Sequence, residues 1–235
     1  MNGRHWAPKQ LPLSLAHRPA MTRADFLPGP ANEEAIAVID RWPDWPVRLV
    51  YLFGPPGSGK SHLTEIWRTA SGAVAVAAAA LRQFDAERLV AKGAVVIEDL
   101  EALRFDEAAL FHVLNHAAER NAAVLLSGRV APAGLSIALP DLASRLRAAQ
   151  PLRLSEPDDL LLRRVLTKLF ADRQISVAPR VIDYIVTRLD RSLEAANLIV
   201  ERLDREALAE GRAVTRALAS AALGGGSDIV ADDDG

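Results

Sequence analysis

The chain has 235 residues and a formal net charge of −2, with 50% hydrophobic and 25% charged residues, the balance of a soluble globular protein with room for one or two domains. It contains no cysteine, which excludes disulfides and thiolate metal sites. The charge provides no global basic field for nucleic acid, and no apolar run approaches the ~20 residues of a membrane span. The N-terminus lacks the apolar core of a secretory signal, so the expected location is the cytoplasm.

The first residues, 1–24, hold Pro8, Pro12 and Pro19 and no amphipathic run, and they read as an extended arm. Asn32 is placed to cap a short helix with Ala35, Ile36 and Ile39 on one face, ended by Pro43 and Pro46. Leu49-Val50-Tyr51-Leu52-Phe53 is a continuous apolar run before glycine, the form of a buried parallel strand. Leu63, Ile66, Trp67 and Ala70 then repeat at helical spacing. Residues 73–80 suggest a strand of small residues and 81–91 a weak helix. Ala94-Val95-Val96-Ile97 is a second buried strand, ending in Glu98-Asp99. Asp106 is placed to cap a helix burying Leu110, Val113, Leu114 and Ala117; its His112 and His116 read as a solvated or half-buried face. Ala123-Val124-Leu125-Leu126 is a further strand, Asp141 starts a helix through Arg147, and Leu152-Arg153-Leu154 is a last short strand. Strand alternating with helix implies crossovers and a mainly parallel sheet covered on both faces, over residues 25–155.

The period changes after residue 155. Ser155-Glu156-Pro157-Asp158 resembles a capping-box helix start. Helices follow carrying Leu162, Val165, Leu166, Leu169 and Phe170; then, from Pro179, Ile182, Ile185, Val186 and Leu189; then, from Ser192, Ala196, Ile199, Val200 and Leu203. Residues 156–223 therefore read as a small all-helical lid domain. Residues 224–235 read as a flexible acidic tail, from Gly224-Gly225-Gly226 to Asp232-Asp233-Asp234.

The strongest chemical signal is Gly54-Pro55-Pro56-Gly57-Ser58-Gly59-Lys60-Ser61, a full G-x-x-x-x-G-K-S loop between strand and helix. Gly54, Gly57 and Gly59 let backbone amides converge on a phosphate; Lys60 reaches the β- and γ-phosphates, and Ser61 is suited to Mg²⁺. The helix starting at Lys60 offers its positive end to the anion. The bound cofactor expected is ATP or ADP with Mg²⁺. Glu98 and Asp99, at the end of a neighbouring strand, are placed to hold the metal, directly or through water, and to orient an attacking water. Which acid does which is open.

These parts resemble the AAA+ family of P-loop NTPases. Asp25-Phe26 with Gly29-Pro30-Ala31-Asn32 looks like the leading segment of DnaA-type replication initiators, and Gly59-Lys60-Ser61-His62-Leu63 like their G-K-T/S-H-L, which adds His62 to the nucleotide-contacting set. Leu142-Ala143-Ser144-Arg145-Leu146 is similar to their L-x-S-R-[FL] arginine-finger helix, and Arg191-Ser192-Leu193-Glu194 to their R-E-L-E sensor-two segment. The resemblance runs from about residue 10 to 223. It implies that Arg145 acts on a neighbour's nucleotide and Arg191, with Arg188 as an alternative, on the chain's own. Gln10-Leu11-Pro12-Leu13-Ser14-Leu15 is similar to the peptide by which bacterial proteins dock on the sliding clamp, with Gln10 as polar anchor and Leu13 and Leu15 filling an apolar pocket. A clamp peptide ahead of an initiator-like module, with no room after the lid for a DNA-reading helix-turn-helix, is the layout of the Hda family. Those proteins bind the clamp and trigger hydrolysis of initiator-bound ATP. The resemblance so implies a regulator with the initiator and the clamp as partners, no sequence-specific DNA binding, and self-association through AAA+ surfaces. An autonomous ATPase such as a helicase loader, or a nucleotide-gated scaffold, is the alternative.

Three departures from the family pattern stand out. Glu98 replaces the usual leading aspartate. Ser127-Gly128-Arg129-Val130-Ala131-Pro132 puts Arg129 where the sensor-one aspartate falls. Arg145 is followed by Leu146-Arg147-Ala148 without the usual glycine. The first two imply weak hydrolysis in the chain's own site.

Overall fold

The central strand, β1 (Leu49–Phe53), is apolar throughout because it is covered on both faces. The computed structural model describes residues 21–82, 85–101 and 105–224. In it β1 lies in a five-stranded parallel sheet with β2 (Val74–Ala77), β3 (Ala94–Glu98), β4 (Ala123–Gly128) and β5 (Gln150–Arg153), in the order β2-β3-β4-β1-β5. Alternate residues supply two cores. Val50, Leu52, Val96 and Leu125 face α1 (Glu33–Asp40) and α2 (Lys60–Ser71). Tyr51, Val95, Ile97, Val124 and Leu126 face α3 (Ala86–Val90), α4 (Glu107–Glu119) and α5 (Pro140–Ala148). Each such fully buried aliphatic side chain contributes ~1.5–3 kcal/mol. Trp67 of α2 is fully buried and stacks on Trp45 at 4.8 Å.

A separate apolar core joins α6 (Asp159–Asp172), α7 (Pro179–Val186), α8 (Leu193–Glu210) and α9 (Arg216–Gly224). Leu166, Ile185, Val200, Leu203 and Ala219 are its innermost members.

Several local expectations change in detail. Asn32 stands at the start of α1, but its side chain does not cap the helix: its Oδ1 accepts from the Gly29 N–H at 2.9 Å and its Nδ2 donates to the Leu27 carbonyl at 3.1 Å. It ties down the preceding turn instead. Asp158, not Ser155, caps α6, accepting from the Leu161 N–H at 2.7 Å, because Pro157 keeps the chain extended up to that point. Asp106 and Ser192 cap α4 and α8 as their sequences predict. The strand over 73–80 is only Val74–Ala77, followed by a 3-10 turn through Ala80. Helix α9 and the inclusion of Gly224 in it were not separately foreseen. The expected arm up to residue 20, with Gln10, Leu13 and Leu15, and the acidic tail from residue 225 lie outside the described residues.

Candidate functional site at the carboxyl edge of the sheet

Strand β1 delivers the chain into the glycine loop, and α2 leaves it. Gly57 and Gly59 take positive φ, 69° and 100°, a conformation that favours glycine and turns successive amides inward. Gly54 is required for a different reason: a Cβ there would stand 2.3 Å from the Leu154 carbonyl oxygen. Lys60 folds back, donating from Nζ to the carbonyls of Gly54 at 2.7 Å and Pro55 at 2.8 Å. Burial lowers its pKa, the charges of Glu101 and Asp99 oppose that shift, and Arg129 adds to it. The Ser58 hydroxyl is buried and has no hydrogen-bond partner among the described residues. A buried orphan hydroxyl, convergent amides, a lysine held by weak carbonyl acceptors and a helix N-terminus together fit a polyphosphate.

The acid pair sits one strand further away than the sequence suggests. β1 pairs with β4 and β5, and β3 lies beyond β4, so Glu98 and Asp99 are not on a strand adjacent to the loop strand. The strand itself is legible in the sequence, but its place between β1 and β3 is not, because strand order is set by crossovers and not by sequence proximity. The pair is nonetheless brought to the site: Ser61, Glu98 and Asp99 line one cavity of about 270 Å³. The extra methylene of Glu98 lets its Oε1 accept from the Thr64 hydroxyl at 2.9 Å. Asp99 adopts φ 58°, an uncommon conformation for a residue with a side chain. Among the described residues no group of three His, Asp or Glu side chains forms a metal cage. Mg²⁺ held through Ser61, an acid and phosphate oxygens is the kind of site this donor set fits.

A second cavity, about 330 Å³, lies beside the loop, between the leading segment and the helical unit. Phe26, His62, Leu161, Leu193 and Asn197 are among its walls. Phe26 packs edge-on against His62 at 5.0 Å, and His62 Nε2 lies 3.0 Å from the Thr22 carbonyl. Burial is the main cause of a lowered His62 pKa, which keeps the ring neutral near pH 7. The helical unit touches the glycine loop directly: the Leu193 N–H donates to the Gly57 carbonyl at 2.8 Å.

The two sequence-selected arginines stand apart from the phosphate loop. Arg191, exposed, pairs with Asp159 of α6 at 3.0 Å, although its neighbours Ser192 and Leu193 abut Gly57 and Gly59. Arg145 is half-buried on α5, its guanidinium 5.5 Å from the Phe111 ring centre of α4, and it lines neither cavity. Sequence reasoning missed Thr64 and Glu101, and it read Ser192 as a helix start without its approach to Gly57. Thr64 carried a usable signal, a polar residue buried beside Leu63 and Ile66, where a hydroxyl needs a partner. Glu101 carried none, being one acid among several in a turn.

The sheet order, with the glycine loop at its carboxyl edge and a helical unit appended, is a fold shared with solved domains of known proteins. No protein-family model matches the chain. It is 26% identical over 182 residues to an uncharacterised protein of Haemophilus influenzae, spanning 70% of this chain and 77% of that one. In structure it is similar to domain III of the replication initiation protein DnaA from Thermotoga maritima, with a TM-score of 0.75 and 19% identity over 88% of this chain and 97% of that one. It is also similar to AMPPCP-bound DnaA from Aquifex aeolicus, with a TM-score of 0.66 and 16% identity over 77% of this chain and 64% of that one.

Proposed function

We propose that the protein is a nucleotide-binding regulator of replication initiation, which promotes hydrolysis of ATP held by a DnaA-type initiator. In its own site Gly54, Pro55, Pro56, Gly57, Ser58, Gly59, Lys60 and Ser61 take the phosphates of ATP or ADP. Ser61 with Glu98 or Asp99 takes Mg²⁺. Phe26 and His62 flank the base, and Arg191 leaves Asp159 to approach the phosphates. The likeness to AMPPCP-bound DnaA supports the nucleotide assignment. When Mg²⁺ is bound it offsets phosphate charge and orders water.

The observation that carries the regulatory reading is the placement of Arg145. It lies on α5, outside both cavities, with its guanidinium held over Phe111 and half open to solvent. A planar, permanently charged fork kept away from the chain's own phosphates is suited to a neighbour's γ-phosphate. Gln10, Leu13 and Leu15 would hold the protein on the sliding clamp while α5 faces the initiator. The test is single-turnover loss of ATP from the initiator with clamp-loaded DNA. Arg145→Ala is expected to keep nucleotide and clamp binding and lose most of a ~10³–10⁵-fold stimulation, with poor rescue by lysine. Gln10→Ala with Leu13→Ala is expected to abolish clamp binding and leave nucleotide affinity unchanged. Full stimulation by the Arg145→Ala protein refutes the in-trans mechanism.

A further inference from the structure

Thr64 stands one turn into α2 and is buried, 2% exposed. Its hydroxyl oxygen lies 3.0 Å from the Ser61 carbonyl and 2.9 Å from Glu98 Oε1. A hydroxyl has a single hydrogen to donate. A bond to an ionised acceptor is roughly twice as strong as a neutral one, so the hydrogen goes to the carboxylate. This contact ties the end of β3 to the helix that leaves the glycine loop.

The charge of Glu98 is oriented by this bond but not offset by it. The side chain is half-buried, and among the described residues it makes no ion pair. Arg68, on the wall of the same cavity, is taken by Glu65, whose two oxygens accept from it at 2.6 Å each. Glu98 Oε2 accepts no hydrogen bond among the described residues. A carboxylate with one oxygen tethered, the other open and no cation beside it therefore faces a cavity that Ser61 also lines. That is the state of a ligand prepared for a divalent cation. Asp99 differs: it is exposed, and no hydrogen bond among the described residues fixes its carboxylate.

We propose that Thr64 is a positioning residue for Mg²⁺: its hydroxyl orients Glu98, so that Glu98, and not Asp99, joins Ser61 in holding the metal of a bound nucleotide. This rests on the reading of the glycine loop as a nucleotide site. Lys60, Ser61 and Thr64 share the first turn of α2, so one helix presents the phosphate cation, the metal hydroxyl and the donor that aims the acid. Removing a donor that orients a ligating carboxylate weakens metal affinity by roughly 10–100-fold.

The experiment is equilibrium titration of the full chain with fluorescent ADP over a series of Mg²⁺ concentrations and in EDTA. The quantity read is the Mg²⁺ concentration giving half the gain in ADP affinity. Thr64→Val keeps the shape and removes the donor; it should raise that concentration roughly 10–100-fold and leave ADP affinity in EDTA unchanged. Thr64→Ser keeps the hydroxyl and should behave as the parent. In a Glu98→Gln background Thr64→Val should add nothing, because its effect runs through that carboxylate. A packing role alone would weaken ADP binding with and without Mg²⁺ alike. An unchanged Mg²⁺ requirement in Thr64→Val, an equal rise in the Glu98→Gln background, or a parent whose ADP affinity ignores Mg²⁺ overturns the proposal. If Thr64→Val does not fold, Glu98→Gln and Asp99→Asn decide: the requirement should rise in the first and hold in the second, and a rise in Asp99→Asn as large as that in Glu98→Gln overturns the proposal. If the parent does not bind ADP, or Lys60→Ala binds it as well as the parent, the nucleotide reading itself falls. If Lys60→Ala loses ADP while Thr64→Val keeps the parent's Mg²⁺ requirement, only the positioning inference falls.

Discussion

Gly57→Ala is the sharpest probe of how the glycine loop and the helical unit fit together. The backbone there has φ 69°, and an added Cβ would stand 1.9 Å from Ser192 Oγ and 2.9 Å from Ser192 Cβ. An L-residue in this region is strained by ~1–2 kcal/mol. The same strain falls on Gly211→Ala, at φ 61° after α8, where an added Cβ meets nothing within 4 Å. The difference between the two variants therefore isolates the clash. Relieving it requires Ser192 to withdraw, which breaks the 2.8 Å bond from Leu193 N–H to the Gly57 carbonyl and lifts Leu193 from Gly59. One hydrogen bond and part of one leucine's burial come to about 2 kcal/mol. Thermal unfolding followed by circular dichroism should place Gly57→Ala about 4–8 °C below Gly211→Ala, since 1 kcal/mol moves the midpoint of a chain this size by ~2–4 °C. Nucleotide affinity should fall in Gly57→Ala alone. Adding Ser192→Gly removes both close contacts and weakens the α8 cap by only a few tenths of a kcal/mol, so the double variant should recover most of the gap. Equal melting points for the two alanine variants, with no recovery in the double variant, would refute the docking of α8 on the loop.

Lys60→Ala should weaken ADP binding at least ~10-fold, because each charge-assisted bond it makes to phosphate contributes ~1.5–3 kcal/mol, while the melting temperature moves little; titration with labelled ADP checks it. Steady-state hydrolysis by the isolated protein should run far below the ~10 s⁻¹ median of enzymes, given Glu98 held by Thr64 and Arg129 at the sensor position; a rate near that median contradicts this reading. Asp158→Ala removes the cap on the Leu161 N–H and should destabilise the protein by ~1 kcal/mol, a fall of ~2–4 °C by calorimetry, with nucleotide affinity unchanged.

The parts of this molecule that were legible in the sequence are those fixed by local physics. β1 and β3 are apolar on both faces, and residues 54–61 carry glycines where the backbone turns left-handed. Asp106 and Ser192 announce their helices, and Pro179 stands at the first position of α7. What was not legible depends on contacts distant in sequence. The insertion of β4 between β1 and β3 is a property of crossovers. Asn32 looks like a cap, but its amide finds Leu27 and Gly29 first, a competition between equal donors and acceptors that composition does not decide. In the sequence Glu98 is only a departure from the family's leading aspartate; the structure alone places Thr64 where the longer side chain reaches it. Glu101 meets Gly128 and Tyr51, 27 and 50 residues away, and so had no local signature.

The division of the site between two cores bears on regulation. The phosphate loop belongs wholly to the sheet domain, whereas the larger cavity is walled by Phe26 and His62 on one side and by Leu161, Leu193 and Asn197 of the helical unit on the other. A ligand filling both halves touches both units, and it can favour one arrangement of them only to the extent that it binds that arrangement better. Apolar packing, with Leu161 near Gly29 and Leu193 near Phe26, and polar contacts oppose a change. The polar contacts include the Leu193–Gly57 hydrogen bond, the Lys168–Asp25 pair at 2.8 Å and the Arg164 bond to the Pro28 carbonyl at 2.8 Å. The exposed Arg191–Asp159 pair lies within the helical unit; it resists only the turning of Arg191 toward phosphate, and exposed pairs contribute at most ~1 kcal/mol. The α5 face bearing Arg145 packs on α4 within the sheet domain. A different arrangement of the helical unit would therefore leave the packing of Arg145 against Phe111 of α4 undisturbed.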